Sequence, residues 1–339
     1  MRNLDKMLGT LYGEAIGDAM GMPTQKWSRE RIAKEFPIPI TDFMDGPTTN
    51  VHANDYHRGQ YTFVTQQALV VIQALHGLHW EYNQVIVSQH LLDWARRIKA
   101  YEKNTLDDTS KTALRLFAGD KDITRVTQVA IDNGAVVRIP PIGALYTPDK
   151  KMALVEMVYQ ISKITHETDV TIAGATLIAG AVCAAIADYD WDNIIEFALT
   201  TSDLGASLGA PTYSAQIKQR VRLGLHIAKQ FVNHPSGFVR AMYELVGTSE
   251  LTSESVPTAL IIAYYTRDVK KCAQMCANLG GDTTTIGALA TAICGAKNGW
   301  QSISKDWCSL IDRQNPSQDL KGIAQQMLTF EPLRHNKIK

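Results

Sequence analysis

The sequence predicts an all-α fold, a compact single-domain orthogonal bundle of many helices. Apolar residues recur at the helical period from one end of the chain to the other, and alternating β-rich runs with hairpin turns are nearly absent. No Ser/Pro-rich linker, charge block or repeat divides the chain, so residues 1–339 read as one domain.

The helical pattern covers 7–21, 65–80, 84–100, 153–162, 170–187, 216–231, 256–265 and 286–295. In the first segment Gly9, Gly13, Gly17 and Gly21 recur every fourth residue, which makes a stripe without side chains on one helix face. Glycine costs roughly 1 kcal/mol per helix-interior position relative to alanine. A whole stripe of it implies that another backbone lies against that face. Segment 170–187, with Gly174 and Gly180, and segment 286–295, with Ala288, Ala292 and the flanking Ala296, use similarly small residues. These helices are expected to form a tightly packed centre, with the loops at their ends converging in space. Segment 170–187 carries no charge and reaches the lower limit for a membrane span, roughly 18 residues. Ala, Gly and Thr dominate it, and Asp169 and Asp188 bound it, so a buried helix that is apolar all round fits better.

Charge and composition narrow the function. The 34 Lys+Arg balance 34 Asp+Glu, which argues against a basic nucleic-acid surface. The N-terminus lacks the apolar run of a signal peptide. Cys183, Cys272, Cys276, Cys294 and Cys308 form no CxxC pair and read as reduced thiols. Cys272 and Cys276 share a helix face, but two further metal ligands are not nearby in the sequence, so packing is the better reading. The expectation is a cytoplasmic protein without a nucleic-acid or membrane partner. No feature identifies a protein partner.

Four polar loops at helix ends carry the candidate chemistry: 17–25, 59–65, 132–138 and 280–285. Thr62 and Asp282 suit helix N-caps, and Asn133-Gly134 suits a turn. Arg138 suits a pairing with a surface carboxylate. The alternative is an anion cradle, in which Asn133, Gly134, Ala135 and Arg138 hold a phosphate against glycine-rich backbone and helix N-termini. Spacing alone does not choose between these. Asp18 is either a group acting in a cleft or a buried carboxylate bonded to loop amides. His52, Asp55 and His57, in NVHANDYHRGQY, are either a replacement metal or acid–base site or a solvated polar loop.

The set LGTLYGEAIGDAMGMP, DNGAVVR, ITHETD, ESVP and NLGGDTTTIGALATAICGA resembles the ADP-ribosylglycohydrolase family, in order and approximate spacing, from about residue 4 to residue 300. The resemblance implies a compact all-α fold around a cleft with two Mg²⁺ or Mn²⁺ ions. Such a cleft binds ADP-ribose and hydrolyses an N- or O-glycosidic bond at the ribose C1. It places His166 in the ribose pocket, with the alternative of an ordinary core or surface histidine.

The departures from that pattern are substantial. Where the family reads Thr-Asp-Asp-Thr, this chain has Thr62-Phe63-Val64-Thr65. Where it reads Gly-Gly-Asp-x-Asp-Thr, this chain has Gly280-Gly281-Asp282-Thr283-Thr284-Thr285, so Thr284 replaces an aspartate. The acid after the Gly-x-Pro turn is replaced by Gln25. Of the acidic positions on which the family's site depends, only Asp282 remains. Two divalent ions need several carboxylates and substrate phosphates to offset their charge. Thr62, Asp282 and Thr285 would supply oxygens to at most one weakly bound Mg²⁺ or Mn²⁺.

Three functions follow. The first is a catalytically impaired family member that binds ADP-ribose, a related nucleotide or a protein partner. The second is a glycosidase working with one or no metal, using Asp282 or Asp18 as base and His166 or the His52/His57 loop to orient substrate. The third is a structural or protein-interaction scaffold.

Overall fold

The computed structural model describes residues 3–103 and 105–331. They form helices joined by loops, with three isolated bridges and no β-strand among the described residues. Each helical segment read from the sequence is present, with ends shifted by a few residues.

Eight helices build the centre and the site: α1 (Leu4–Gly21), α2 (Phe63–Gly77), α3 (Asp108–Ala118), α4 (Asp169–Ile186), α5 (Trp191–Ala206), α6 (Thr252–Thr266), α7 (Val269–Ala277) and α8 (Thr283–Asn298). The glycine stripe of α1 lies on α8. A Cβ at Gly9, Gly13, Gly17 or Gly21 would stand 2.2, 2.3, 2.1 or 2.2 Å from the carbonyl oxygen of Gly295, Thr291, Gly287 or Thr283 respectively. No side chain fits there, so the two backbones touch directly. The pairing runs in opposite directions along the two chains, which brings the C-terminus of α1 to the N-terminus of α8. The Thr291 hydroxyl sits between them, 2.6 Å from both Gly13 O and Gly287 O.

Small residues repeat the device elsewhere. A Cβ at Gly180 of α4 would meet the Thr201 side chain of α5 at 2.1 Å. The α4 N-terminus is capped by Thr168, which accepts from Thr171 N–H. At its other end Lys6 Nζ reaches Ala185 O and Ile186 O and pairs with Asp188. Among the described residues α4 is the one helix long and apolar enough to cross a membrane, and 89% of it is buried inside the protein. It is therefore a core helix, as its lack of flanking Lys and Arg suggests. One apolar core runs from Met7 to Phe330, and all five cysteines are free and buried in it.

This packing makes a sharp expectation. Gly17→Ala forces a Cβ into the Gly287 carbonyl and should destabilise by on the order of 3 kcal/mol or more. Gly77→Ala, at a position with nothing within 4 Å, should be neutral or stabilising by up to ~1 kcal/mol. Urea unfolding of the two variants checks both; equal midpoints would remove the claim that α1 and α8 touch through backbone.

Candidate functional site

The four polar loops do converge. Their ends surround a cavity of about 550 Å³, whose wall includes Gln25, Thr62, Phe63, Thr284, Asp107 and Asp132.

Asp18, near the end of α1, is buried, and its carboxylate caps α2. It accepts from Thr62 N–H (2.9 Å), the Thr62 hydroxyl (2.7 Å), Thr65 N–H (3.0 Å) and the Thr65 hydroxyl (2.8 Å). Burial still pushes its carboxyl up to about 6, against the pull of these donors. One turn earlier Glu14 is buried with neither carboxylate oxygen hydrogen-bonded, and burial, then Asp18, hold it well above the usual carboxylate range.

Asp282 sits at the N-cap position of α8, also buried. Its Oδ1 accepts from Gln25 Nε2 at 2.8 Å and its Oδ2 from Asn133 Nδ2 at 2.7 Å. The other end of the Gln25 amide, Oε1, accepts from Thr284 N–H at 3.0 Å. One neutral side chain thus links the remaining acid to the first turn of α8. Val64 is fully buried against Val137 and Ala288, with Phe63 packed on this small cluster and also facing the cavity. An apolar plug occupies the loop where the family pattern has two acids.

Several expectations need correcting here. Thr62 donates its hydroxyl to Asp18, and Asp282 accepts from Gln25 and Asn133, so both make protein hydrogen bonds at the positions expected to face an ion. Asp18 and Asp282 are not among the side chains on the cavity wall; Asp18 accepts four hydrogen bonds, and Asp282 accepts from Gln25 and Asn133. Asn133, Gly134, Ala135, Arg138 and His166 are not on the cavity wall either; they stand one layer behind it. Arg138 is 1% exposed, so it makes neither a surface ion pair nor a solvent-facing phosphate cradle. His52 and Asp55 line the cavity, whereas His57 does not and lies 3.7 Å from Asp45; among the described residues the three form no metal-ligating group.

Asp107 and Asp132, on the cavity wall, join His166 behind it in a group of which the sequence reading missed Asp107. Asp107, Asp132 and His166 bring a ligand atom each within 4.8 Å of one another. His166 Nε2 is 2.7 Å from Asp132 Oδ1 and 3.9 Å from Asp107 Oδ1. Asp132 also accepts from the Thr109 hydroxyl at 2.6 Å and from Gly134 N–H at 3.2 Å. His166 Nδ1 is 2.8 Å from Thr165 Oγ1, which accepts a hydrogen bond from Arg138. An arginine only donates, so the Thr165 oxygen accepts from Arg138 while it also contacts His166 Nδ1. Burial, then Asp132, raise the Asp107 carboxyl. Burial also pushes against ionising Asp132, but the pull of His166 and the hydrogen bonds from His166, Thr109 and Gly134 hold it well below the usual carboxylate range.

Asp107 escaped the sequence reading because it also caps α3, accepting from Ser110 N–H at 2.6 Å. The usable signal was Gly134. A Cβ there would lie 2.4 Å from Asp107 Oδ2, so the Asn-Gly pair makes room for a carboxylate.

A description of the ADP-ribosylglycohydrolase family matches residues 1–336. The chain belongs to the ADP-ribosylglycohydrolase family. It is 35% identical over 312 residues to the uncharacterized protein YegU of Escherichia coli (strain K12), covering 92% of this chain and 93% of that one. It is 20% identical to the ADP-ribosylarginine hydrolase Tri1 of Pseudomonas putida (strain GB-1), covering 97% of this chain and 79% of that one. A solved structure described as an ADP-ribosylglycohydrolase-related protein complex matches with a TM-score of 0.68 and 18% identity, over 96% of this chain and 98% of that one. At that identity the likeness shows the all-α ADP-ribosylglycohydrolase fold alone.

The buried Asp18 gives a pH dependence to this family member. A raised carboxyl pKa means that folding favours the protonated form. Its contribution is fully present below about pH 4 and is lost as pH rises through about 6. The loss is on the order of 3 kcal/mol. Asp18→Asn should flatten the fall in stability between pH 4 and pH 7, measured by urea unfolding across that range. A slope unchanged by the substitution would contradict the assignment.

Proposed function

We propose that the cleft binds ADP-ribose or a related ribosyl nucleotide, and that the two-metal hydrolysis suggested by the family pattern is lost. The observation that carries this reading is the Gln25 amide. It donates to Asp282 and accepts from Thr284 N–H, so the bonds that an ion pair would organise are made by a neutral group. A dication at Asp282 would have to displace that amide with one carboxylate to offset it. The Phe63/Val64 plug supports the same reading, since neither side chain has an oxygen.

A nucleotide fits the remaining space, since ligand sites of roughly 300–1,000 Å³ are usual. Lys26 and Lys103 on the cavity wall, each paired with a carboxylate (Glu250 at 2.8 Å and Asp55 at 3.3 Å), offer cations to its phosphates. Phe63 and Tyr56 offer ring faces to its sugar or base.

Calorimetry tests the proposal. ADP-ribose should bind equally well with and without EDTA, and Mg²⁺ or Mn²⁺ alone should give no heat at micromolar protein. Gln25→Glu with Phe63→Asp, Val64→Asp and Thr284→Asp should gain divalent-ion affinity by at least tenfold. Gln25→Glu with Thr284→Asp provides a smaller gain without disturbing the buried Val64. Tight Mg²⁺ or Mn²⁺ binding by the wild-type protein would refute the proposal.

A further inference from the structure

We infer that Asp107, Asp132 and His166 form a mononuclear site for a divalent transition-metal ion of the Zn²⁺ or Co²⁺ type at the edge of the cavity. The site is separate from the α2 and α8 N-termini, where the family pattern has its acids. The inference stands independently of the ribosyl-ligand reading above.

Three residues distant in the chain supply the donors, each with one ligand atom within 4.8 Å of the other two. His166 Nε2 stands 2.7 Å from Asp132 Oδ1 and 3.9 Å from Asp107 Oδ1. Around an ion with bonds of about 2.0–2.2 Å, neighbouring ligand atoms sit roughly 3.0–3.6 Å apart. The first distance has to open and the second to close, each by a fraction of an ångström. The His166 side chain is fully buried, while those of Asp107 and Asp132 keep 14% and 25% of their surface. Both aspartates line the cavity, so the cavity is the route by which an ion enters.

The groups behind the donors hold them in place. His166 Nδ1 lies 2.8 Å from Thr165 Oγ1, which also accepts from the buried Arg138. With Nε2 on an ion, the ring proton is on Nδ1 and Thr165 Oγ1 accepts it. Asp132 accepts from Gly134 N–H and the Thr109 hydroxyl, and Asp107 Oδ1 from Ser110 N–H. Ligating histidines and carboxylates are usually fixed by such outer bonds. A Cβ at Gly134 would lie 2.4 Å from Asp107 Oδ2 and 2.9 Å from Oδ1, so glycine is what lets this carboxylate stand beside Asp132. Asp107 Oδ2 is itself buried with no hydrogen-bond partner. The protein's own donors thus leave this carboxylate short, and a cation bound to it supplies the missing charge.

The donor set selects the ion. One imidazole and two carboxylates suit zinc and its first-row neighbours. Mg²⁺ takes oxygen ligands and keeps several waters, and Mn²⁺ stands lowest in affinity among the first-row dications. Two carboxylates offset the charge of one dication. Three protein donors leave a position open to water or to a ligand group from the cavity.

Titration of the full chain with Co²⁺ alone, after stripping with EDTA and removal of the chelator, tests this. One equivalent should bind and give visible d–d absorption. Thr165→Val, which keeps all three donors, should lower Co²⁺ affinity by about 10–100-fold, and Asp132→Asn or His166→Gln by more. Where these variants do not fold, wild-type protein loaded with one equivalent of Cu²⁺ carries the test, and its electron spin echo modulation should report a single coordinated imidazole. No Co²⁺ binding by the wild-type protein would overturn the inference, as would binding unchanged by Asp132→Asn and His166→Gln. Binding lost in Asp282→Asn and kept in Asp132→Asn would put the ion at the α8 N-terminus and overturn it too. Two imidazoles on Cu²⁺, or none, would have the same force.

Discussion

Backbone contact between α1 and α8 is the constraint on which the rest of the molecule depends. Four glycines of α1 each face a carbonyl of α8 too closely for any side chain. The contact fixes register as well as distance, because only every fourth position on α1 can face this way. It sets Asp18, near the end of one helix, close to Asp282, at the start of the other. From there Asp18 orders the first turn of α2 with four hydrogen bonds, and Asp282 gathers Gln25 and Asn133. The cavity is therefore a consequence of helix packing, and its walls are held by polar side chains buried in that packing.

Charge balance at this centre explains why the altered motifs are compatible with a stable fold. Buried carboxylates need positive charge, donors or protonation. Asp18 and Asp282 have donors, and burial raises both above the usual range even so. Glu14 has no donors, and burial, then Asp18, raise its carboxyl well above the usual range. Replacing acids with Gln25, Phe63, Val64 and Thr284 therefore lowers the charge that the interior must compensate. The substitutions act as a set: Gln25 supplies an amide donor to Asp282, and Val64 fills apolar space with Val137 and Ala288.

The fold was legible because its main signals are local. Helical periodicity and a four-residue glycine repeat survive in a single sequence, and both describe one helix at a time. The convergence of the loops was also legible, since it follows from small-residue helices packing with their ends together. The layering of the site was not. Arg138 and Asn133 look like exposed phosphate ligands in sequence, yet burial turns them inward, to Thr165 and Ser162 and to Asp282 and Ser255. Asp107 looks like a cap because it is one. Its second role depends on Asp132, Gly134 and His166, which are distant in the chain and share no spacing rule with it.

Around the cavity, side chains are held by bonds that run back into the protein. On the α8 side the Asp282 carboxylate and the carboxamide of Gln25 bond one another and the first turn of α8, so a ligand gains little by approaching them. Phe63 adds a surface that cannot donate or accept. Behind Asp132 a chain of bonds runs through His166 and Thr165 to a buried guanidinium. Removing Arg138 would leave Thr165 free to rotate, and His166 would lose a fixed neighbour. The buried arginine therefore acts on the cavity at second hand, through the bonds that orient His166 and Asp132. A polar residue read as a ligand from sequence can carry function from inside the protein, provided the bonds between it and the cavity are unbroken.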